Sequence, residues 1–344
     1  MRTLTLSKRY HTIGQTIKKE TPTPELYQIY KEFDEYQRKN YSTNPVKCLC
    51  GSNNQYIIST VDRERWEYPL VICRSCGLIL AKDYWDEKSV IHFYSNWFRK
   101  KYGGDGDPHN FYKIKMKQSQ LVWDFVNDYT CKLKRPYTVF DIGGAAGGVI
   151  DLFKSDNNCY VIDYNKSYLK HAEKMGIKTV EGGIDKLYLI EEKPDLVVLS
   201  HVLEHISNLN KELETLIEHL KIGSLVYVEL PGIDSLKIGR RSYDFLGDIH
   251  IPHVFYFCIE VLNNLMGRHG FRCLKSNTFI SALYEYTGEI DELVNYHDTV
   301  CSHIEIAERR RKLCFDYFVR FIIWITTKKT RTYMKKLMKI NRIY

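Results

Sequence analysis

The sequence predicts an α/β protein built on a doubly wound, mainly parallel, Rossmann-like sheet. Three observations carry this prediction: strands and helices alternate after residue 137, the first predicted strand runs into a glycine-rich turn, and two close cysteine pairs precede the alternating region. The cysteine pairs predict a separate small N-terminal domain, and a basic, aromatic-rich end predicts a helical C-terminal tail.

Composition and charge are those of a globular protein with one basic end. Of the 344 residues, 44% are hydrophobic, which suffices for a sizeable core. The net charge is +8, yet residues 309–344 alone carry 12 Lys or Arg and one Asp. No apolar run approaches the roughly 18 residues of a membrane span, and the N-terminus lacks the apolar segment of a secretory signal. We therefore expect a cytoplasmic protein whose ten cysteines are reduced.

Residues 1–45 are predicted to be a basic extension, frayed at its start, followed by one amphipathic helix. Apolar residues recur at helical spacing between Glu25 and Asn40, and Asn44-Pro45 then interrupts the pattern.

Two cysteine pairs define a predicted zinc-ribbon-like domain over residues 46–83, and the candidate ligands are Cys48, Cys50, Cys73 and Cys76. A glycine follows each pair, so two tight turns can aim four thiolates at one tetrahedral Zn²⁺. The first pair is Cys-x-Cys, one residue shorter than the usual knuckle, so buried free thiols are the alternative. Four thiolates leave no open coordination position, which predicts a structural and not a catalytic zinc.

Residues 84–136 are rich in aromatic side chains and are predicted to be a helical linker that acts as a lid over a binding site. Helical spacing fits residues 90–98 and 116–126, and a glycine-rich loop lies between them. Tyr94 and Tyr102 are candidate hydroxyl contacts for a bound substrate. The alternative is that the aromatic stripe belongs to the core.

Alternating strands and helices occupy residues 137–285. Predicted strands cover residues 138–142, 159–163, 178–180, 195–200, 225–229 and 271–276, and helices lie near residues 147–154, 165–175, 208–220 and 259–269. A ligand bound to such a sheet lies at the carboxyl ends of the parallel strands.

The turn after the first of these strands has the residues of a nucleotide-like cofactor site: Asp141, Gly143, Gly144, Ala145 and Gly147. Glycine allows positive φ and close approach to a ligand, and the next helix offers unpaired N–H groups. Asp163 ends the second strand, where a carboxylate can accept hydrogen bonds from both hydroxyls of a ribose. Taken alone, the glycine turn also fits dehydrogenases, nucleotidases and ordinary α/β turns.

Two further turns complete the candidate cofactor site. After the third strand, Asp185 can accept a hydrogen bond from the exocyclic amine of adenine while Ile184 packs on the ring. Tyr164 follows Asp163 and is assigned to the same side. The fourth strand runs into a turn whose first residues, Ser200 and His201, are expected to lie at the reacting end of the cofactor.

In this order, the motifs resemble those of class I S-adenosylmethionine-dependent methyltransferases. The resemblance is carried by DIGGAAG at 141–147, the acidic residue 163, GGID at 182–185, DLVVLSHVLEHI at 195–206, VYVELP at 226–231 and the run from His250 to Phe271. With the cysteine pairs, the chain resembles the subgroup that has a zinc-binding N-terminal domain, which includes sugar C-methyltransferases and surface-glycan methyltransferases. The resemblance implies S-adenosylmethionine as cofactor, a structural Zn²⁺, and a sugar or glycan acceptor. Ala145 departs from the pattern, because many relatives have glycine there.

The resemblance also places a catalytic histidine at the fourth-strand turn, which makes His205 the candidate general base, since imidazole titrates near neutral pH. Glu204 would orient His205 or act as the base itself; alternatively, both only shape the pocket. His250 and His253 are spaced H-x-x-H and are candidate acceptor contacts or a second acid/base. Metal binding by this pair is disfavoured because no third ligand of suitable spacing is evident. Asp248 is placed to pair with either histidine.

The tail, residues 286–344, has aromatic and aliphatic residues between basic clusters. One alternative is a helix on an anionic lipid surface at the inner face of a membrane, near lipid-linked glycan, and the other is a helix docked on the catalytic domain. The alternative enzyme is an RNA or DNA methyltransferase. Nucleic acid is disfavoured as a partner, because the fourth-strand turn has neither an Asn/Asp-Pro-Pro-aromatic nor a Pro-Cys signature and no base-reading module is present. A binding or scaffold protein that keeps the fold without turnover is the remaining alternative.

Overall fold

A seven-stranded sheet forms the centre of the chain in the computed structural model, which describes residues 2–11, 24–98, 100 and 107–313. Its strands are β7 (Thr138–Ile142), β8 (Asn158–Asp163), β9 (Lys178–Glu181), β10 (Leu196–Ser200), β11 (Leu225–Glu229), β13 (Phe271–Ser276) and β14 (Ser281–Tyr286). The spatial order is β13-β14-β11-β10-β7-β8-β9. The five neighbouring strands β11, β10, β7, β8 and β9 pair in parallel, whereas β14 pairs antiparallel with both of its neighbours. This confirms the predicted doubly wound sheet.

Helices cover both faces of the sheet. They are α1 (Pro24–Asn40), α2 (Glu87–Asn96), α3 (Pro108–Thr130), α4 (Lys166–Lys174), α5 (Leu209–His219), α6 (Ile259–Gly267) and α7 (His297–Leu313). Short 3-10 helices span Gly148–Phe153, Ile184–Leu189, Leu203–His205, Ile233–Ile238, Arg240–Tyr243 and Phe245–Gly247, and one more, Lys8–His11, lies near the N-terminus. The central strands β7, β8, β10 and β11 are almost fully buried, as expected when helices pack on both sides. No helix in the described ranges is long and apolar enough to cross a membrane.

A smaller sheet carries the N-terminal part of the chain. It contains β1 (Arg2–Thr3), β3 (Gln55–Val61), β4 (Glu67–Cys73), β5 (Ile79–Ala81) and β12 (Phe255–Tyr256), in the order β1-β3-β4-β5-β12. A separate pair joins β2 (Thr43–Pro45) to β6 (Asp83–Trp85). Because β12 comes from the region after β11, it connects the small sheet to the large one, and one hydrophobic core runs through both.

The start of the N-terminal extension differs from the prediction of a frayed end. β1 pairs in parallel with β3, and the side chain of Tyr10 is fully buried. The Tyr10 hydroxyl donates to Glu308 in α7, 3.0 Å away. This contact between distant parts of the chain has no local signal in the sequence.

The sheet contains one strand that the sequence did not predict. β14 lies between β11 and β13 and follows a tight turn at 277–280, in which Ile280 has a φ of 49°. The predicted strands and helices otherwise coincide with observed elements to within a few residues. Tyr102, most of the glycine-rich loop and residues 314–344 of the predicted tail lie outside the described residues.

Candidate functional site

Four parallel strands end at one edge of the large sheet. β7, β8, β10 and β11 are neighbours in it, and their carboxyl ends carry the turns in which the sequence predicts the site. The fold therefore brings these turns together, as expected for this architecture.

The glycine-rich turn after β7 is built on left-handed backbone. Gly143 has a φ of 72° and Gly147 a φ of 80°, and a Cβ on Gly147 would overlap the side chains beneath it. Ala145 also adopts a positive φ, 49°, although an L-residue is disfavoured there. Its N–H donates to Oδ2 of Asp163 at 2.9 Å. The turn is thus tied to the end of β8 and lies close against the sheet.

Asp141 is a buried carboxylate beneath this turn. It is 1% exposed, and a Cβ on Gly144 would overlap its oxygens. Neither oxygen has a hydrogen-bond partner among the described atoms. Burial raises the pKa of Asp141 from 3.8 to about 7, although the nearby Lys115 ammonium opposes the shift. A buried carboxylate of this kind suits a cationic ligand group above the glycine turn.

The residues predicted to hold the ribose and adenine lie along the ends of β8 and β9. Asp163 accepts hydrogen bonds from two backbone N–H groups, those of Ala145 and Asn165. The exposed Tyr164 points its hydroxyl toward Asp185, 3.5 Å away. Ile184 is only 3% exposed and packs in the core. The cofactor contacts assigned to these residues stay predictions.

Three polar residues at the same edge have no motif in the sequence that would identify them as a group. Gln118, on α3, donates from Nε2 to Ser200 Oγ at 3.0 Å and to the carboxylate of Glu229. The Ser200 hydroxyl donates to the same carboxylate at 3.1 Å. Lys115, one turn earlier on α3, donates to Gln118. α3 therefore covers the ends of β10 and β11. This contact depends on the tertiary fold and has no local signal in the sequence.

The turn after β10 carries a pair formed by histidine and glutamate. Glu204 is 1% exposed, and its Oε1 lies 3.3 Å from Nδ1 of His201. Burial lowers the pKa of His201, but the hydrogen bond and charge of Glu204 outweigh this and raise it overall. His201 itself has a φ of 57°, a strained conformation for a non-glycine residue. Such strain is common at functional turns.

His205 is fixed in one tautomer. Its Nδ1 lies 2.8 Å from the carbonyl oxygen of Pro252, which can only accept, so Nδ1 must carry the proton. The other ring nitrogen, Nε2, keeps its lone pair and lies 3.9 Å from Oε1 of Glu204. The hydroxyl of Tyr94 lies 3.1 Å from Nδ1, so this predicted substrate contact is next to His205. The arrangement leaves Nε2 able to accept a proton.

The loop that contains His250 and His253 lies against the same turn. The ring of His253 is 3.8 Å from that of His250 and 4.8 Å from that of His205, measured between centroids. Burial, followed by the charge of nearby residues, lowers the pKa of His253 well below 6.5, which keeps it neutral. Asp248 pairs with Arg240 and Arg241, not with either histidine, so the predicted partnership is wrong. Short 3-10 helices between residues 240 and 247 bring these two guanidinium groups to the carboxylate of Asp248.

The N-terminal sheet holds this loop in place. The hydroxyl of Tyr68, on β4, donates to the backbone oxygens of Ile251 and His253 at 3.0 and 2.8 Å. Tyr84, on β6, donates to the backbone oxygen of Pro252 at 3.3 Å. The domain with the cysteine pairs therefore shapes the side of the site opposite the glycine turn.

The four predicted metal ligands meet in one cluster. The Sγ atoms of Cys48 and Cys50 are 3.4 Å apart, and the Cys48–Cys76 and Cys50–Cys73 distances are each 3.6 Å. A tetrahedral zinc with bonds of about 2.3 Å would separate its sulfur ligands by about 3.8 Å. The Cys-x-Cys pair therefore brings its thiols close enough for one ion, and the cluster can hold a tetrahedral ion.

Residues 113–276 match a family model described as a methyltransferase domain. This segment includes the glycine turn, the turn after β10 and the histidine loop. The match agrees with the enzyme class expected from the sequence, a methyltransferase. The comparison with curated proteins found no match.

Several solved structures are similar to the chain at low identity. An O-methyltransferase family protein from Burkholderia thailandensis is 12% identical, with a TM-score of 0.41; the match covers 54% of this chain and 60% of that protein. Human N-acetylserotonin methyltransferase, solved with SAM, is 19% identical over 56% of this chain and 59% of its own, with a TM-score of 0.41. The plantazolicin methyltransferase BpumL, solved with SAH, is 14% identical over 67% of this chain and 91% of its own, with a TM-score of 0.42. These values are too low to transfer a substrate.

Proposed function

We propose that this methyltransferase methylates an oxygen or a carbon of a sugar, either nucleotide-linked or within a surface glycan. The observation that carries the proposal is the tautomer of His205, whose Nδ1–H donates to Pro252 while Nε2 is left as an acceptor beside Glu204. A sugar hydroxyl, or the carbon beside a sugar ketone, is a poor nucleophile until a base removes its proton.

The cofactor is assigned to the edge formed by β7 and β8. Asp141 faces the ammonium of the methionine moiety, because both of its carboxylate oxygens are buried and lack a hydrogen-bond partner among the described residues. The backbone of Gly143, Gly144, Ala145 and Gly147 allows close approach, and Asp163 and Asp185 serve the ribose and adenine. When bound, S-adenosylmethionine supplies a methyl group that is already activated by the sulfonium.

The protein then contributes alignment and proton removal. Nε2 of His205 takes the proton of the acceptor, and the buried carboxylate of Glu204 stabilises the imidazolium that results. The ring centroids of Tyr94 and Phe98 are 5.0 Å apart, and the ring of Tyr94 lies next to His205. Such a pair suits the apolar face of a sugar ring.

The cysteine cluster is assigned a structural Zn²⁺ held by Cys48, Cys50, Cys73 and Cys76. Its four sulfurs lie within 4.8 Å of one another, and all four would be ligands, so no position stays open for chemistry. The proposed role is to stabilise the N-terminal domain, from which Tyr68 and Tyr84 reach the histidine loop.

The decisive experiment combines calorimetry with a methyl-transfer screen across nucleotide sugars. The wild-type chain is expected to bind S-adenosylmethionine and to methylate at least one sugar. His205→Ala should lower turnover on the order of 100-fold while its cofactor affinity stays unchanged. His219→Ala is the matched control, because His219 lies in the last turn of α5, away from this edge. Full activity of the His205 variant would remove it as the base, and absent cofactor binding by folded protein would refute the proposed function as a whole.

The basic end of the chain remains a separate proposal. α7 packs against the 3-10 helix Ile233–Ile238 through buried apolar residues, which agrees with a docked helix up to Leu313. The membrane contact concerns residues 314–344. Flotation with anionic vesicles, comparing the full chain with one that ends at Leu313, tests it; equal flotation would exclude lipid binding by this segment.

A further inference from the structure

Three side chains with metal-binding atoms meet on the acceptor side of the site: Glu204, His205 and His253. One ligand atom from each lies within 4.8 Å of the other two. Glu204 and His205 come from the turn after β10, whereas His253 comes from the loop between β11 and β12. Of the H-x-x-H pair only His253 belongs to this group, and the other two ligands come from another turn.

The buried state of the Glu204 carboxylate indicates that a cation binds next to it. The residue is 1% exposed, and Oε2 has no hydrogen-bond partner in the part of the chain that the structure describes. Oε1 is close to His201 and His205. Leaving a carboxylate oxygen buried without a partner is unfavourable, and a bound cation would compensate for it.

The two imidazoles have the form that a metal requires. The Nδ1–H of His205 donates to a backbone carbonyl, which is the usual arrangement for a ligating histidine, and leaves the Nε2 lone pair for an ion. His253 is 8% exposed, and its ring centroid lies 4.8 Å from that of His205. An imidazole binds a metal through the lone pair of its unprotonated nitrogen.

We infer that Glu204, His205 and His253 bind a divalent cation, Mn²⁺ or Zn²⁺. Two histidines and one carboxylate are a ligand set that leaves coordination positions open. The inference rests on the proposed function for placing the acceptor here. It narrows the acceptor to sugars with two adjacent oxygens, a vicinal diol or a hydroxy ketone, which can chelate the ion.

A cation on Nε2 of His205 occupies the lone pair to which the proposed function assigns proton removal, so His205 is a ligand when the ion is bound and the base only in a chain that methylates without it. Coordination lowers the pKa of the acceptor hydroxyl. The proton passes to water. The acceptor oxygen then bonds to the methyl carbon, the sulfur–carbon bond breaks, and its electron pair remains on sulfur.

Binding of Mn²⁺ to the full chain tests the site, because Mn²⁺ prefers oxygen and nitrogen ligands over the thiolates of the cysteine cluster. Free Mn²⁺ is measured by electron paramagnetic resonance. Wild type is expected to bind about one Mn²⁺ per chain, Zn²⁺ should displace it, and the unfolding temperature should rise with Mn²⁺.

Variants locate the ion. Glu204→Gln and His253→Gln should raise the Kd for Mn²⁺ at least about tenfold, whereas Glu214→Gln and His219→Gln should bind Mn²⁺ as wild type does. Circular dichroism establishes that each variant is folded, and His205→Asn replaces any that is not. The inference is overturned if folded wild type binds no Mn²⁺ up to about 1 mM, or if Glu204→Gln binds it equally well.

The same samples separate this inference from the proposed function. Sugar methylation at the full rate without Mn²⁺ or Zn²⁺ at this site would overturn the cation and leave the proposed function intact. Mn²⁺ binding by a chain that does not bind S-adenosylmethionine would overturn the proposed function and leave the cation site intact.

Discussion

Tyr84 and His205 share one hydrogen-bond acceptor, the carbonyl oxygen of Pro252. The Tyr84 hydroxyl donates to it at 3.3 Å and the His205 Nδ1–H at 2.8 Å. Tyr84 belongs to β6, in the N-terminal part of the chain, and is 2% exposed. The backbone N–H of Ala81, in β5, holds the next part of the loop by donating to Val254 at 2.8 Å. The N-terminal domain therefore helps to set the orientation and tautomer of His205.

Tyr84→Phe should lower kcat about fivefold and leave the affinity for S-adenosylmethionine unchanged, because one hydrogen bond of about 1 kcal/mol is lost at the Pro252 carbonyl. Ring ¹⁵N chemical shifts of His205 should show a smaller share of the Nδ1–H tautomer. Tyr129→Phe is the control, since the Tyr129 hydroxyl also donates to a backbone carbonyl, that of Leu274, away from the loop. Equal kcat and equal shifts in the two variants would reduce Tyr84 to a packing residue.

Asp141→Asn should stabilise the cofactor-free protein and weaken cofactor binding. The folded-state pKa of Asp141, about 7, lies above its ordinary value of 3.8, so stability is lost as the pH rises between these values. Asparagine cannot ionise, and the free energy of unfolding above pH 7 should rise on the order of 4 kcal/mol. Urea unfolding from pH 4 to 8 measures this, and calorimetry should show at least tenfold weaker cofactor binding. A variant that is less stable at pH 8 would contradict the account.

The affinity of the wild type for S-adenosylmethionine should have a maximum between about pH 7 and 8. Below it, Asp141 becomes protonated and loses its attraction for the ammonium. Above it, an α-amino group with a pKa of about 7.7 to 8.0 loses its own charge. Calorimetric titrations from pH 6 to 9 check the profile. In Asp141→Asn the loss of cofactor affinity on the acidic side of the maximum should disappear. If that loss persists, another group causes it.

Ala145→Gly should raise the free energy of unfolding by about 1 kcal/mol, because Ala145 has a φ of 49° and glycine relieves that strain. Ala146→Gly is the matched control. Ala146 is fully buried and lacks a positive φ, so its substitution should lower stability by about 1 kcal/mol. Urea unfolding of both variants provides the comparison. A less stable Ala145→Gly protein would show that the methyl group packs favourably in the turn.

The parallel strands were predictable from the sequence because each one is a short apolar run that ends in a polar or glycine-rich turn. β14 was missed because its place depends on pairing with β11, which is distant in the sequence, and with β13, to which a tight turn joins it. The candidate site likewise contains some residues that local motifs identify and others that only the tertiary fold places there. Asp141 and Glu204 stand in local motifs, whereas Gln118 on α3 contacts the strand ends only through the tertiary fold. Pairing of His205 with Pro252 likewise depends on a contact between distant segments.

The purified chain should contain about one zinc per chain, and Cys76→Ser should lose it. The backbone oxygen of Leu49, between the first two cysteines, accepts hydrogen bonds from Asn210 and Arg268 at 2.9 and 3.2 Å. Loss of the metal should therefore loosen the contact with the methyltransferase domain and lower the unfolding temperature by several degrees. Elemental analysis and thermal unfolding measure both effects. Cys159→Ser controls for the loss of a buried thiol away from the cluster and should keep its zinc. Metal-free, fully stable wild type would leave the four cysteines as buried thiols.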